Sequence, residues 1–184
     1  MIILGIDPSY SATGVAVIEC HGIPGQERVI ATGVVKVPTS LTDRERCREI
    51  ALACAKWAAR WGAEAVGIEG QYTAPHNYSV GLRLAALRSA VEQRLRDDYA
   101  EGAIYTVTPG ERAEALGLRG RLKREEVKRR VVAAVRLRYG VAVSDDEADA
   151  IGIALATGRK IRRGEKAEQL QMALPSRRRA KARL

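Results

Sequence analysis

Apolar and polar positions along the 184-residue chain fall into blocks whose period changes from one to the next. Residues 2–6 (IILGI) are a short unbroken apolar run, the mark of a strand covered on both faces. Residues 13–19 (TGVAVIE) and 28–37 (RVIATGVVKV) are rich in β-branched residues, and HGIPGQ between them supplies turn chemistry. These three runs predict an antiparallel meander. The period then lengthens. Thr42 with Glu45 three residues on reads as a capping box opening a helix over 42–61. Ile50, Ala53, Cys54, Trp57 and Trp61 recur at helical spacing and predict its inner face. Residues 64–68 (EAVGI) read as a short strand ending at Glu69.

Beyond Pro75, Val80, Leu84, Leu87, Val91 and Leu95 recur every three or four positions and predict a long helix to about residue 99 with one apolar seam. The seam packs on the sheet, or part of it meets a second copy of the chain. Residues 103–107 (AIYTV) predict a last strand. A short helix after Pro109, a GLRGR loop, a basic helix over about 123–139 and a closing helix from Ser144 complete the pattern. The order β-β-β-α-β-α-β-α-α-α predicts an α/β domain, a mixed sheet covered by helices.

Composition narrows the class. Apolar residues make up 46%, ordinary for one globular domain of this length. No apolar stretch approaches the ~20 residues of a membrane helix, and Asp7–Pro8 breaks the opening run too early for a cleavable leader. Cys20, Cys47 and Cys54 are odd in number and form no CxxC pair, which points away from a disulfide framework or zinc site and toward a reducing cytoplasm. The net charge is +9. Residues 159–184 hold ten Lys or Arg against Glu165 and Glu168, so the body over 1–158 is nearly neutral and a basic tail follows it. A cationic arm favours a polyanion, nucleic acid before others, through counterion release; the plain alternative is a solubilising tail.

Four acids then stand out. Asp7 and Glu69 each end an apolar run, so each should project at the rim of the sheet, where sites form in open α/β folds. Taken singly, each is better explained as a loop acid. In SDDEADAIGIALAT, residues 144–157, Ser144 with Glu147 is a capping box, and Asp145 and Asp146 lie in the first turn where the helix dipole favours acids. That account does not reach Asp149, one turn further into an almost wholly apolar helix, where a bare carboxylate is costly unless paired or bound to a cation. Asp146 and Asp149 share a face. A strand-end Asp, a strand-end Glu and an i, i+3 Asp pair suit hard divalent cations such as Mg²⁺, which take oxygen ligands. Two such ions ~3.5–4 Å apart serve phosphodiester hydrolysis. On this reading Lys or Arg does not neutralise the acids, because the metal supplies the positive charge. His21 and His76 read as surface residues of a turn and a loop.

The motifs in order resemble the RuvC-type Holliday-junction resolvases of the RNase H-like superfamily. GIDPSYSATGVAVI resembles that family's opening strand and aligns its metal-ligand Asp with Asp7; AVGIEGQY aligns its Glu with Glu69; DEADAIGIALA aligns its closing acids with Asp146 and Asp149. HNYSVGLRLAALR resembles the dimerisation helix, and TPGERAEALGLRGRLKREEV the loop and helix before the last acids. The resemblance covers about residues 1–158. It implies an RNase H-like fold, with a five-stranded sheet of an antiparallel meander plus two parallel strands. It also implies a metal-dependent endonuclease cutting branched DNA, with two Mg²⁺ ions in each active site and Mn²⁺ as a substitute.

A four-way junction and a second copy of the chain are the implied partners; a branch-migration motor leaves no mark in the residues. Tyr72 falls where the family places an aromatic at the junction centre, and Arg112, Arg119, Arg121, Lys123 and Arg124 fall along the implied phosphate path. Two positions depart: Ser9 stands where the family usually has Gly, and Ala113 where a Lys is common. The competing readings are a hydrolase of broader branched-DNA or RNA–DNA hybrid preference, a junction-binding protein without catalysis, and an actin-type phosphotransferase. The last needs a Gly-rich phosphate loop that DPSYSATG lacks.

Overall fold

The structure is a computed structural model and describes residues 1–70, 78–98, 103–118 and 124–164. The strands are β1 (Ile2–Asp7), β2 (Thr13–Glu19), β3 (Arg28–Val35), β4 (Ala65–Glu69) and β5 (Ile104–Val107). The helices are α1 (Asp43–Trp61), α2 (Tyr78–Arg96), α3 (Pro109–Ala115), α4 (Arg124–Tyr139) and α5 (Asp145–Arg162). The sheet runs β3-β2-β1-β4-β5. β1 pairs antiparallel with β2 and β2 with β3, whereas β4 runs parallel to β1 and β5 parallel to β4. This is the expected mixed sheet. β3 stops at Val35, short of the predicted 37, because Val35 pairs with Thr13, the first residue of β2, and no rung lies beyond it.

Strand alternation sorts side chains to two faces. Leu4, Ile6, Val15, Val17, Val66 and Ile68 face α1 and α2. Ile3, Ala16, Ile18 and Ala65 face α5, with α3 and α4 beside it. Each fully buried Leu, Ile or Val contributes about 1.5–3 kcal/mol, so both layers are anchored through the central strands.

The capping box of α1 is present: Thr42 Oγ1 accepts from the Glu45 N–H at 3.3 Å, and the Glu45 carboxylate accepts from the Thr42 N–H at 2.8 Å. The inner face of α1 differs from expectation. Cys47, Ile50, Ala51, Cys54, Ala55 and Ala58 are buried, while Ala53, Trp57 and Trp61 lie at the margin. Small residues let α1 close on its neighbours, and Trp57 is displaced onto β3, where its ring lies against Gly33. The seam of α2 is also split. Leu87, Val91 and Leu95 are fully buried, but Val80 is 50% exposed and its neighbour Leu82 54%.

α5 runs on to Arg162, past the point where the basic tail was expected to begin. Arg159 donates to the main-chain carbonyls of Glu114 and Ala115 at 2.9 and 3.1 Å, and Lys160 pairs with Glu111 at 2.7 Å. Arg162 reaches buried Glu27 at 3.3 Å, alongside Arg138 at 2.9 Å. The first cations of the basic segment therefore bind α3 and the β2–β3 turn to the body. No helix among the described residues is long and apolar enough to cross a membrane.

Candidate active site

Two strands deliver two acids by register alone. Gly5 pairs with Gly67 and Ile6 with Ile68 across the parallel β1–β4 ladder, so Asp7 and Glu69 follow side by side at the carboxyl ends of adjacent strands. By alternation, Ile3, Gly5 and Asp7 point to the α5 face, and so do Ala65, Gly67 and Glu69. α5 lies on this face in backbone contact with the sheet. A Cβ on Gly5 would meet the Ala150 carbonyl oxygen at 2.1 Å, one on Gly14 the Asp146 carbonyl oxygen at 2.0 Å, and one on Gly67 Thr157 Oγ1 at 2.0 Å. Only glycine admits a helix this close. Gly14 pairs with Asp7, so the first turn of α5 crosses directly over the end of β1.

The start of α5 is fixed by its own capping box. Ser144 Oγ accepts from the Glu147 N–H at 3.4 Å, and the Glu147 carboxylate accepts from the Ser144 N–H at 2.9 Å and its hydroxyl at 2.7 Å. Thr32 of β3 also donates to Glu147 at 2.8 Å. Burial pushes the Glu147 carboxyl up, but these hydrogen bonds outweigh it and hold the group below its ordinary value. Asp146 and Asp149 are thus set on consecutive turns at the end of α5 that overlies Asp7.

Arg112 of α3 enters this cluster. Its Nη1 lies 2.8 Å from Glu69 Oε1 and 3.1 Å from Asp149 Oδ2. The contact to Glu69 is an ion pair without an aligned N–H, since buried Oε1 accepts no hydrogen bond. Asp7 as a residue is half-buried but its carboxyl lies deep. Burial, then the charges of Glu69 and Asp149, push it well above the carboxylate range, against the opposing effect of Arg112. Glu69 is raised too, chiefly by burial, with Arg112 pulling the other way. The Asp7 carboxyl donates to Glu69 when protonated.

The structure therefore brings together Asp7, Glu69 and Asp149, with Asp146 one turn earlier on the same helix. Among the described residues no three His, Cys, Asp or Glu side chains are drawn in around one point as metal ligands. A guanidinium stands between two of the acids instead, contrary to the expectation that no arginine neutralises them. The donor set still fits a divalent cation: it is oxygen-rich and deep, and it already holds a positive group between Glu69 and Asp149. Arg112, expected on the phosphate path, points into the acids. Tyr72, Arg119, Arg121, Lys123 and His76 lie outside the described residues, as does the Arg124 side chain, although Arg124 opens α4. His21 is exposed beside Glu19 at 3.4 Å. Ser9 fits its loop without left-handed geometry, for no non-glycine among the described residues has positive φ. The Ser9 N–H donates to Thr13 Oγ1 at 3.1 Å, and the Thr13 hydroxyl donates to the Ser9 carbonyl at 2.7 Å.

Two residues that sequence reasoning missed support the strand ends. Arg88 of α2 donates to Thr106 Oγ1 on β5 and pairs with Glu92 at 2.5 Å, beside Gly70, the residue after Glu69. Tyr10, in the loop after Asp7, lies between Arg46 and Arg83, whose guanidinium carbons are 5.5 and 5.0 Å from its ring centre. Their spacing carried no signal, because the contacts join distant elements.

A mixed five-stranded sheet with acids at the ends of two adjacent parallel strands, roofed by an acid-bearing helix, is the fold of the RNase H-like resolvases. Residues 3–157 match the family model of crossover junction endodeoxyribonuclease RuvC. The RuvC of Chlorobium chlorochromatii is 33% identical over 165 residues, covering 90% of this chain and 81% of that protein. The RuvC of Halothermothrix orenii is 27% identical, covering 90% and 97%. Among solved structures, Thermus thermophilus RuvC in complex with a Holliday junction substrate superposes with a TM-score of 0.75 at 25% identity, covering 91% of this chain and 98% of that one. A fowlpox virus resolvase shares the fold at a TM-score of 0.56 and 11% identity, covering 88% and 99%. The chain belongs to the RuvC family of crossover junction endodeoxyribonucleases.

Proposed function

We propose that this chain resolves Holliday junctions in DNA recombination and repair, cutting two strands of a four-way junction at the Asp7–Glu69–Asp146–Asp149 cluster. The observation that carries this is that Asp7, Glu69 and Asp149, from β1, β4 and α5, lie close enough to act on one another's charge, with Arg112 paired to the last two. Asp7, Glu69, Asp146 and Asp149 would hold two Mg²⁺ ions, or Mn²⁺ in their place. When bound, such ions supply the positive charge that activates water and stabilises the leaving oxygen in phosphodiester hydrolysis. The protein's part is to fix the acids rigidly. β1 and β4 set the separation of Asp7 and Glu69, and the glycine contacts beneath α5 set the height of Asp146 and Asp149.

Binding of DNA falls to the basic residues of the segment 119–124, Arg119, Arg121, Lys123 and Arg124, with Tyr72 stacking on a base opened at the crossover. Val80 and Leu82, exposed at the start of α2, would form a two-fold contact with a second copy. A two-fold dimer presents two sites to two symmetry-related strands. The test is cleavage of a substrate panel (four-way junction, three-way fork, flap, RNA–DNA hybrid) with Mg²⁺ at one salt concentration. Paired nicks in the junction, leaving 5′-phosphates, and their loss in D7N with junction binding retained, are the expected result. Equal cleavage of every substrate favours the broader nuclease, and wild-type cleavage by D7N overturns the site.

A further inference from the structure

Arg112 is built into the cluster rather than resting on it. Its side chain is 14% exposed. Its stem packs directly on α5: a Cβ on Gly152 would lie 2.8 Å from Arg112 Cγ and 2.8 Å from Leu116 Cδ1, so the missing methyl leaves room for these two side chains. The carrier helix α3 is anchored in turn. Thr108 caps it, Lys160 binds its first-turn Glu111, and Arg159 takes two of its last carbonyls. The guanidinium is thus presented from a fixed base, and one nitrogen, Nη1, serves carboxylates from a strand and a helix at 2.8 and 3.1 Å. Glu69 Oε1 receives charge from it but no aligned hydrogen bond. That contact is electrostatic and undirected, the kind a small cation replaces without loss of geometry.

We propose that Arg112 is a resident counter-cation of the catalytic acids: it holds Glu69 and Asp149 together while no divalent ion is bound, and a divalent ion loads only by displacing its guanidinium. This rests on the reading of the acids given above and adds a positioning residue to it. Three like charges brought together at the end of a sheet repel one another, and an internal cation offsets that cost before metal arrives. The same cation competes with the metal, so it sets the concentration at which the site fills. α3 stays in place, and only the outer side chain moves.

The test is calorimetric titration of MnCl₂ into the DNA-free full chain, comparing wild type, R112Q, R112K and D149N. R112Q is expected to bind Mn²⁺ at least about tenfold more tightly than wild type, a difference of about 1.4 kcal/mol. R112K, which restores a charge on a point-like group, is expected to return toward the wild-type value. A residue that merely braced the fold would not tighten metal binding when removed. Equal or weaker Mn²⁺ binding by R112Q overturns the proposal. A second measurement needs no variant to fold well: in ¹⁵N-arginine-labelled wild type, the Nε–H signal of Arg112 should shift with added Mg²⁺, and a stationary signal overturns the proposal. D149N separates the two readings, because Mn²⁺ binding by D149N equal to that of wild type removes the acid site itself, whatever R112Q does.

Discussion

Replacing Asp7 with Asn should remove activity and, without metal, stabilise the protein. The Asp7 carboxyl is raised by burial and by the neighbouring charges of Glu69 and Asp149. Its value in the unfolded chain is near the ordinary 3.8. Between that and its raised folded value, the folded state keeps a proton the unfolded state has released. Stability then falls as pH rises, by up to about 1.4 kcal/mol per pH unit. Below the ordinary value the group costs nothing; above its folded value the whole penalty is present. Asn has the same shape, carries no charge, and can still donate to Glu69. It should therefore recover about 1–3 kcal/mol at neutral pH, the scale of one poorly compensated buried polar group. At this chain length that is about 2–4 °C in melting temperature per kcal/mol. The assay is thermal unfolding in EDTA at a series of pH values. D7N should melt above wild type at pH 7.5, and the gap should close toward pH 4. Added Mg²⁺ should raise the wild-type melting temperature far more than that of D7N. A wild type as stable as D7N at every pH would refute the account of the site as strained by its own charge.

Three further outcomes follow from the packing. Gly14→Ala sets a methyl group 2.0 Å from the Asp146 carbonyl; lifting α5 off the strand end should cost about 1–3 kcal/mol and at least most of the cleavage rate, measured by melting and by junction nicking. Glu27→Gln leaves Arg138 and Arg162 without the carboxylate that pairs with both. The Glu27 side chain is 4% exposed but both arginines reach solvent, so the loss should be about 1–3 kcal/mol, below the full cost of breaking a buried pair, seen in urea unfolding. The double variant V80E/L82E should sediment as a monomer where wild type sediments as a dimer, and should nick junctions on one strand at a time; an unchanged sedimentation coefficient would remove α2 from the interface.

The strands were legible because each carries its own signal: unbroken or β-branched runs closed by turn residues. The candidate acids were legible because Asp149 sits where an apolar helix gives it no reason to be. A sharper cue lay in the sequence, for LGID and VGIE repeat the same order of Gly, Ile and acid, and their glycines and isoleucines pair rung by rung in β1 and β4, which sets the two acids at adjacent strand ends. The face of α1 was misjudged because hydrophobicity alone ranks Trp57 and Trp61 as inner residues, whereas close helix packing selects Cys47, Ala51, Ala55 and Ala58. The place of Arg112 was not legible. It depends on Gly152 opening space for its stem, a contact between residues 40 positions apart that no local pattern records.

Because α5 is the last described element of the chain and its partners are the first, synthesis order matters. Until residue 158 or so has left the ribosome, Ile3, Ala16, Ile18 and Ala65 have no cover on that side of the sheet. Asp7 and Glu69 wait beside each other with half their constellation missing. A nascent or truncated chain that ends before α5 therefore keeps an apolar flank of the sheet in water, the kind of surface that draws chains into association.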